Sequence, residues 1–206
     1  ALHIQIWGNE KDMPYKEGDF LLLDKLSVEE QSLPSLQTGA PVKKAVESVR
    51  KAVSALFVHT APDIDGKLTD AAWAKSITAN DFLDYKSGKP ALIQTSVRLL
   101  AGPKNLYLGI TCQDPQPKQV KASYNGTGSS DVWKDDAAEI FFGPVAGDRQ
   151  LSQFVVGAGG GRWMGNGNAS VAGRYDKWQT AVLRNESGWQ AEVKIPYELI
   201  GYSAPP

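Results

Sequence analysis

The sequence predicts an all-β fold, an antiparallel β-sandwich, on three observations. From Ala61 onward, short segments of alternating apolar and polar residues recur at regular spacing. Gly, Pro, Asn and Asp punctuate the gaps between them, as turns between strands require. The chain's 206 residues are also enough for one large sandwich with a core of its own.

Residues 1–30 come first. Leu2, Ile4 and Ile6 alternate with His3, Gln5 and Trp7, and a loop bearing Pro14 and Gly18 leads to the apolar run that starts at Phe20. Two strands are expected here, and two strands alone are marginally stable. The second, Phe20-Leu-Leu-Leu-Asp-Lys-Leu-Ser-Val28, resembles the last strand of jelly-roll carbohydrate-binding modules. On that resemblance residues 1–30 are expected to be the C-terminal remnant of an upstream β-sandwich.

Residues 31–60 read as a linker. Pro41 opens a stretch in which Val42, Ala45, Val46, Val49, Val53 and Leu56 fall at helical spacing with lysines opposite, so an amphipathic helix is expected over 41–56. Its Val and Ala face suits packing on a neighbouring domain better than insertion into a membrane.

Residues 61–206 form the main unit. Strands are expected at 94–100, 106–112, 138–142, 150–156, 178–183 and 189–195. The single cysteine, Cys112, follows Leu106, Leu108 and Ile110 at period two and should face the core. One cysteine excludes an internal disulfide and a multi-thiolate zinc site. With 22 basic against 23 acidic residues the net charge is -1, and no overall field favours nucleic acid. Apolar runs such as residues 20–23 fall far short of the roughly 20 residues that cross a bilayer, so no membrane insertion is expected.

The chemistry concentrates in Asp131-Val-Trp-Lys-Asp-Asp-Ala-Ala-Glu-Ile-Phe-Phe142. Trp133 follows the polar loop 125–130 and precedes a strand, where an indole can stack on the C–H face of a pyranose or cap the end of the sandwich. Glu139, opposite in alternation to Ile140 and Phe142, is acceptor-only when ionised and suits sugar hydroxyls. Asp131, Asp135 and Asp136 either hold a cation, possible Ca2+ chemistry for loop carboxylates, or bond their own turns. A glycosidase needs two carboxyls across a cleft with one pKa raised; crowding in one loop does not supply that. The run Gly157 to Asn168 lacks a phosphate-loop register and reads as a flexible loop. Within it stands Trp163, while Trp178 heads an alternating strand and reads as core. Met164 raises haem, but His3 and His59 lie away from this region and no haem is expected.

Five segments carry a family resemblance across about residues 62–201. They are Pro62-Asp-Ile-Asp-Gly-Lys-Leu-Thr-Asp-Ala-Ala-Trp73, Leu106-Tyr-Leu-Gly-Ile-Thr-Cys-Gln-Asp114, Trp133-Lys-Asp-Asp-Ala-Ala-Glu-Ile-Phe-Phe142, Gln153-Phe, and Gly188-Trp-Gln-Ala-Glu-Val-Lys-Ile-Pro-Tyr-Glu-Leu199. In this order they resemble carbohydrate-binding module family 9, a DOMON-like β-sandwich. The resemblance implies an immunoglobulin-like or jelly-roll sandwich, no enzyme activity of its own, Trp133 as one wall of a sugar site and Glu139 as a ligand contact. It also implies calcium, which family members carry, and makes the Asp63 to Trp73 signature structural. Two departures stand out. Val155 occupies the position of the family's ligand-contacting Arg, and the family continues past the Ile195-Pro-Tyr-Glu-Leu199 motif with further strands and the second aromatic wall, for which Trp163 is the preferred substitute here over Tyr175 and Trp178. The module is therefore expected to lack its last strands. The functional expectation is polysaccharide binding within a larger extracellular, cell-surface or periplasmic protein such as a glycoside hydrolase. The competing expectation is a structural or assembly segment that self-associates through unpaired strand edges.

Overall fold

Among the residues that the computed structural model describes (2–7, 19–29, 51–84, 87–143, 152–166, 169–170 and 174–205), strands dominate. In chain order they are β1 Leu2–Trp7, β2 Asp19–Glu29, β3 Lys51–Phe57, β4 Ile77–Ala79, β5 Leu83–Asp84, β6 Thr95–Ala101, β7 Asn105–Gln113, β8 Ala137–Phe142, β9 Ser152–Gly157, β10 Arg162–Asn166, β11 Ala169–Ser170, β12 Gln179–Asn185 and β13 Gly188–Pro196. One short helix, α1 (Ala71–Ala74), breaks the pattern. The hydrogen-bonded order is β11-β10-β9-β8-β1-β2-β3-β6-β7-β13-β12, with β4 added beside β6 and β5 beside β2. Pairing is antiparallel except where β3 runs parallel to β2 and β6.

This path folds into a sandwich because each half has an apolar face to bury. Ile140, Phe154, Val156 and Met164 from β8–β10 join Leu99, Leu108, Ile110 and Ala191 from β6, β7 and β13 in one buried cluster. Cys112 belongs to it, 3 % exposed, and burial pushes its thiol pKa up. The expected strands at 94–100, 106–112, 138–142, 150–156, 178–183 and 189–195 all form, with ends shifted by one or two residues.

The outer face of β7 is covered as well. Gly109 lies under Leu68 and Trp73, and a side chain at that position would collide with both. The Asp63 to Trp73 signature is locked there by Glu192, which is fully buried. Its carboxylate accepts from the Trp73 indole at 2.7 Å, from the Gly66 amide at 2.8 Å and from the Asp65 amide at 2.9 Å. Burial pushes the Glu192 pKa up, although those three donors pull the other way.

Three expectations meet a different arrangement. The helix expected over 41–56 is strand β3 from Lys51, while residues 41–50 lie outside the described residues. Val53 fits both patterns, at helical spacing with Val49 and Leu56 and at a period of two with Ala55, and β2 and β6 each offer an edge to pair with. The strands expected in residues 1–30 do form, but hydrogen-bonded into the module: β1 pairs with β2 on one side and β8 on the other. An open β8 edge is a template for such pairing. Of the glycine run expected to be a flexible loop, residues 157–161 form a tight hairpin closed by Gly157 N–H to Gly161 O at 2.8 Å and residues 162–166 are β10, while 167 and 168 lie outside the described residues. Gly159 and Gly161 serve close packing on Tyr124, and Gly160 turns the chain at φ 88°. A side chain at Gly159 would come within 2.5 Å of the Tyr124 carbonyl.

Candidate functional site

Ser129 begins the site by capping a 3₁₀ turn, Ser130–Lys134, its hydroxyl oxygen accepting from the Asp131 amide at 3.1 Å. The same hydroxyl donates to Asp131 Oδ2 at 3.0 Å, and Lys134 pairs with Asp131 across the turn. The lysine and the serine hold the Asp131 carboxyl below the usual carboxylate range. This turn presents Trp133, partly exposed, immediately before β8.

Beneath it the outer face of β8, β9 and β10 carries a polar and aromatic cluster. Register places Glu139, Val155 and Trp163 in one row across the three strands, with Gln5 of β1 beside Glu139. Glu139 is only 4 % exposed, and its two oxygens accept separately from the Trp133 indole N–H at 2.8 Å and from the Gln153 amide. Val132, Ala137, Val155 and Trp163 pack under the indole, flanked by Tyr124. Tyr124 is itself tied down, its amide donating to Asp135 at 2.7 Å and its carbonyl accepting from Gly161 at 3.0 Å.

These positions revise several expectations. Trp163 is not a wall facing Trp133 across a gap. It is 6 % exposed, and its ring centroid lies 4.8 Å from that of Trp133 at 61°, an edge-to-face contact. A sugar between two aromatic faces needs about 7 Å, two van der Waals layers of roughly 3.5 Å each. Trp163 therefore buttresses Trp133. Val155, at the position of the family's arginine, is buried beneath the pair, and Gln153 instead supplies the donor to Glu139. Trp178, which precedes β12 instead of heading it, is fully buried, as expected for a core residue.

Asp131, Asp135 and Asp136 do not converge. Asp135 accepts from the Tyr124 amide at 2.7 Å, Asp136 accepts from the Lys121 amide at 3.1 Å, and Asp131 faces Lys134. Among the described residues no three His, Cys, Asp or Glu side chains are grouped to hold a metal ion. Asp131 bonds within its own turn, whereas Asp135 and Asp136 accept from the separate segment at 121–124 and fasten it to the loop that carries Trp133.

Sequence reasoning left Tyr124 and Glu192 unnamed and gave Gln153 no role. Gln153 had a signal: it lies two residues before Val155, hence on the same strand face. Tyr124 had none, because its contacts come from a loop closing onto β10.

What this arrangement can do is present one indole face, fixed in orientation by a buried carboxylate and backed by a second indole. Comparison with known proteins gives the context. No curated protein matches the chain. Among solved structures, a candidate carbohydrate-binding protein from Bacteroides uniformis ATCC 8492 superposes with a TM-score of 0.57 at 16 % identity, over 72 % of this chain and 73 % of that one. A carbohydrate-binding module of family 9 from Caldicellulosiruptor kristjanssonii in complex with glucose gives 0.52 at 17 % identity, over 73 % and 70 %. The same organism's family 9 module in complex with cellotriose gives 0.50 at 17 % identity, over 73 % and 68 %. Identities this low establish a shared fold. The family model described as carbohydrate family 9 binding domain-like matches residues 64–205, most of the chain, and the chain accordingly belongs to that family.

Proposed function

We propose that this chain is a non-catalytic carbohydrate-binding module that holds an oligosaccharide segment of a polysaccharide against the exposed face of Trp133. One observation carries the reading. Trp133 is partly exposed, with its N–H fixed on the Glu139 carboxylate, so its ring is oriented before any ligand arrives. Covering one indole face with sugar C–H groups removes roughly 80 Å2 of apolar surface, worth about 2 kcal/mol at about 25 cal/mol/Å2. Glu139 orients the ring, Gln153 holds Glu139, and Trp163 stiffens the platform from its edge. The neighbouring carboxylates bind protein donors, an arrangement suited to building a loop and unlike an acid pair across a cleft.

The solved family 9 structures with glucose and cellotriose make β-linked glucans the first ligands to try. Polysaccharides of this kind lie outside the cell, so the proposal places the chain in an extracellular, cell-surface or periplasmic protein, with a glycoside hydrolase as a natural parent. Calorimetric titration with soluble cello- and xylo-oligosaccharides, wild type against Trp133→Ala, tests it. Binding that Trp133→Ala weakens about 30-fold, the equivalent of roughly 2 kcal/mol, is expected. No heat with any neutral glycan, together with concentration-dependent self-association, would sink it in favour of an assembly segment.

A further inference from the structure

A cleft of about 840 Å3 opens where β7 begins and β13 ends, at the Asn105 and Pro196 pair. None of its lining residues belongs to the cluster around Trp133. The cleft belongs to neither the indole platform nor the Glu192 latch.

Its lining is cationic. Lys104 reaches it from the β6–β7 turn, Lys177 from the 3₁₀ turn Tyr175–Lys177, and Lys194 from β13, against a single carboxylate, Glu198. Lys177 pairs with Glu198 at 3.4 Å while both remain largely exposed, and Lys194 reaches Gln179 Oε1 at 3.5 Å, a long contact. Three lysines from three separate elements thus line the cleft against one carboxylate, a net positive charge. Between them stand groups that suit hydroxyls, the side-chain amides of Asn105 and Gln179, and the partly exposed ring of Tyr202. Gly201, at φ 83°, turns the backbone so that the Tyr202 amide closes onto the Tyr197 carbonyl at 3.0 Å. The volume falls in the range of small-ligand sites, about 300–1,000 Å3.

We propose that this cleft is a second binding site, for an acidic oligosaccharide whose carboxylate or sulfate groups meet Lys104 and Lys194 while its hydroxyls meet the neighbouring amides. The inference is independent of the platform at Trp133. A charged sugar and a free inorganic anion share the same recognition by ammonium groups, and size separates them. Only a saccharide also reaches the amides and the Tyr202 ring.

The test is calorimetric titration of the full chain with trigalacturonate, with a sulfated galacto-oligosaccharide and with inorganic sulfate. It is run on wild type, the double variant Lys104→Gln/Lys194→Gln, and Trp133→Ala, with urea midpoints to establish that each is folded. One of the two acidic oligosaccharides should bind wild type and weaken as salt rises past about 0.1 M, where the screening length is about 10 Å. The double variant should bind it about tenfold more weakly, and Trp133→Ala should bind it as wild type does. Absence of binding by both acidic oligosaccharides overturns the proposal, as does equal affinity in the double variant or equal affinity for inorganic sulfate. Loss in Trp133→Ala alone would move the ligand to the platform and likewise overturn it.

Discussion

Replacing Glu139 with alanine separates holding the indole from touching the sugar. The carboxylate is 4 % exposed and accepts from Trp133 at 2.8 Å and from Gln153. Gln153 is 7 % exposed, so its amide loses its partner in a nearly dry setting, which costs about 1–3 kcal/mol. Trp133 is partly exposed and water takes its N–H, for a smaller loss. Removing a buried carboxylate recovers some desolvation energy, leaving a net destabilisation of roughly 1–2 kcal/mol. A domain stable by about 5–15 kcal/mol survives that. The freed indole must then be ordered when sugar binds, a cost of about 0.5–1.5 kcal/mol for one side chain, or roughly a two- to tenfold weaker complex. Urea unfolding followed by tryptophan fluorescence reads the first quantity, and calorimetric titration with whichever oligosaccharide wild type binds reads the second. Unchanged stability with binding lost as fully as in Trp133→Ala would refute the reasoning and make Glu139 a direct sugar contact.

Glu192→Ala strips three N–H donors of their acceptor, two of them in buried bonds. After the relief of a buried charge, denaturant unfolding should register a loss of about 2–5 kcal/mol. Because burial raises the Glu192 pKa, the folded chain keeps a proton that the unfolded chain has already released between the ordinary carboxylate range and the raised folded value. Its contribution therefore falls as pH rises through that window, and the stability difference between wild type and Glu192→Gln should shrink with rising pH; a difference that grows contradicts this. Gly161→Val places its Cβ 2.8 Å from the Tyr124 carbonyl oxygen and closer still to the ring, so the loop must move. The expected result is about 1–3 kcal/mol lower stability with altered Trp133 fluorescence. Cys112, 3 % exposed with its thiol pKa pushed up, should resist thiol reagents in the native protein and react fully in denaturant.

The strands of the main unit were legible because a half-buried strand writes its two faces into alternate residues. Leu106, Leu108, Ile110 and Cys112 could be assigned to the core without knowing what they touch, and the structure buries all four. Local pattern was insufficient at residues 51–57, where Val53 pairs with Leu56 at helical spacing and with Ala55 at period two, and the choice fell to the strand edges available for pairing. The same limit applies at Trp163. A tryptophan in a glycine-rich run looks like a loop residue until the hairpin at Gly157 to Gly161 makes it part of a strand.

For the candidate site, sequence by itself determined which chemistry is present: an indole at a loop-to-strand junction, a glutamate on the outward side of the following strand, and aspartates in the turn between. Those are properties of residue type and short spacing, fixed by the 3₁₀ turn and the two-residue strand repeat. Only the tertiary structure decided how they are used. The Trp133 indole bonds Glu139, Gln153 shares that carboxylate from the next strand, and Trp163 closes the gap that a second wall would have needed. Each of these contacts joins segments whose separation depends on how β8, β9 and β10 pair and where the 121–134 loop lies, so distance in sequence carries no record of them.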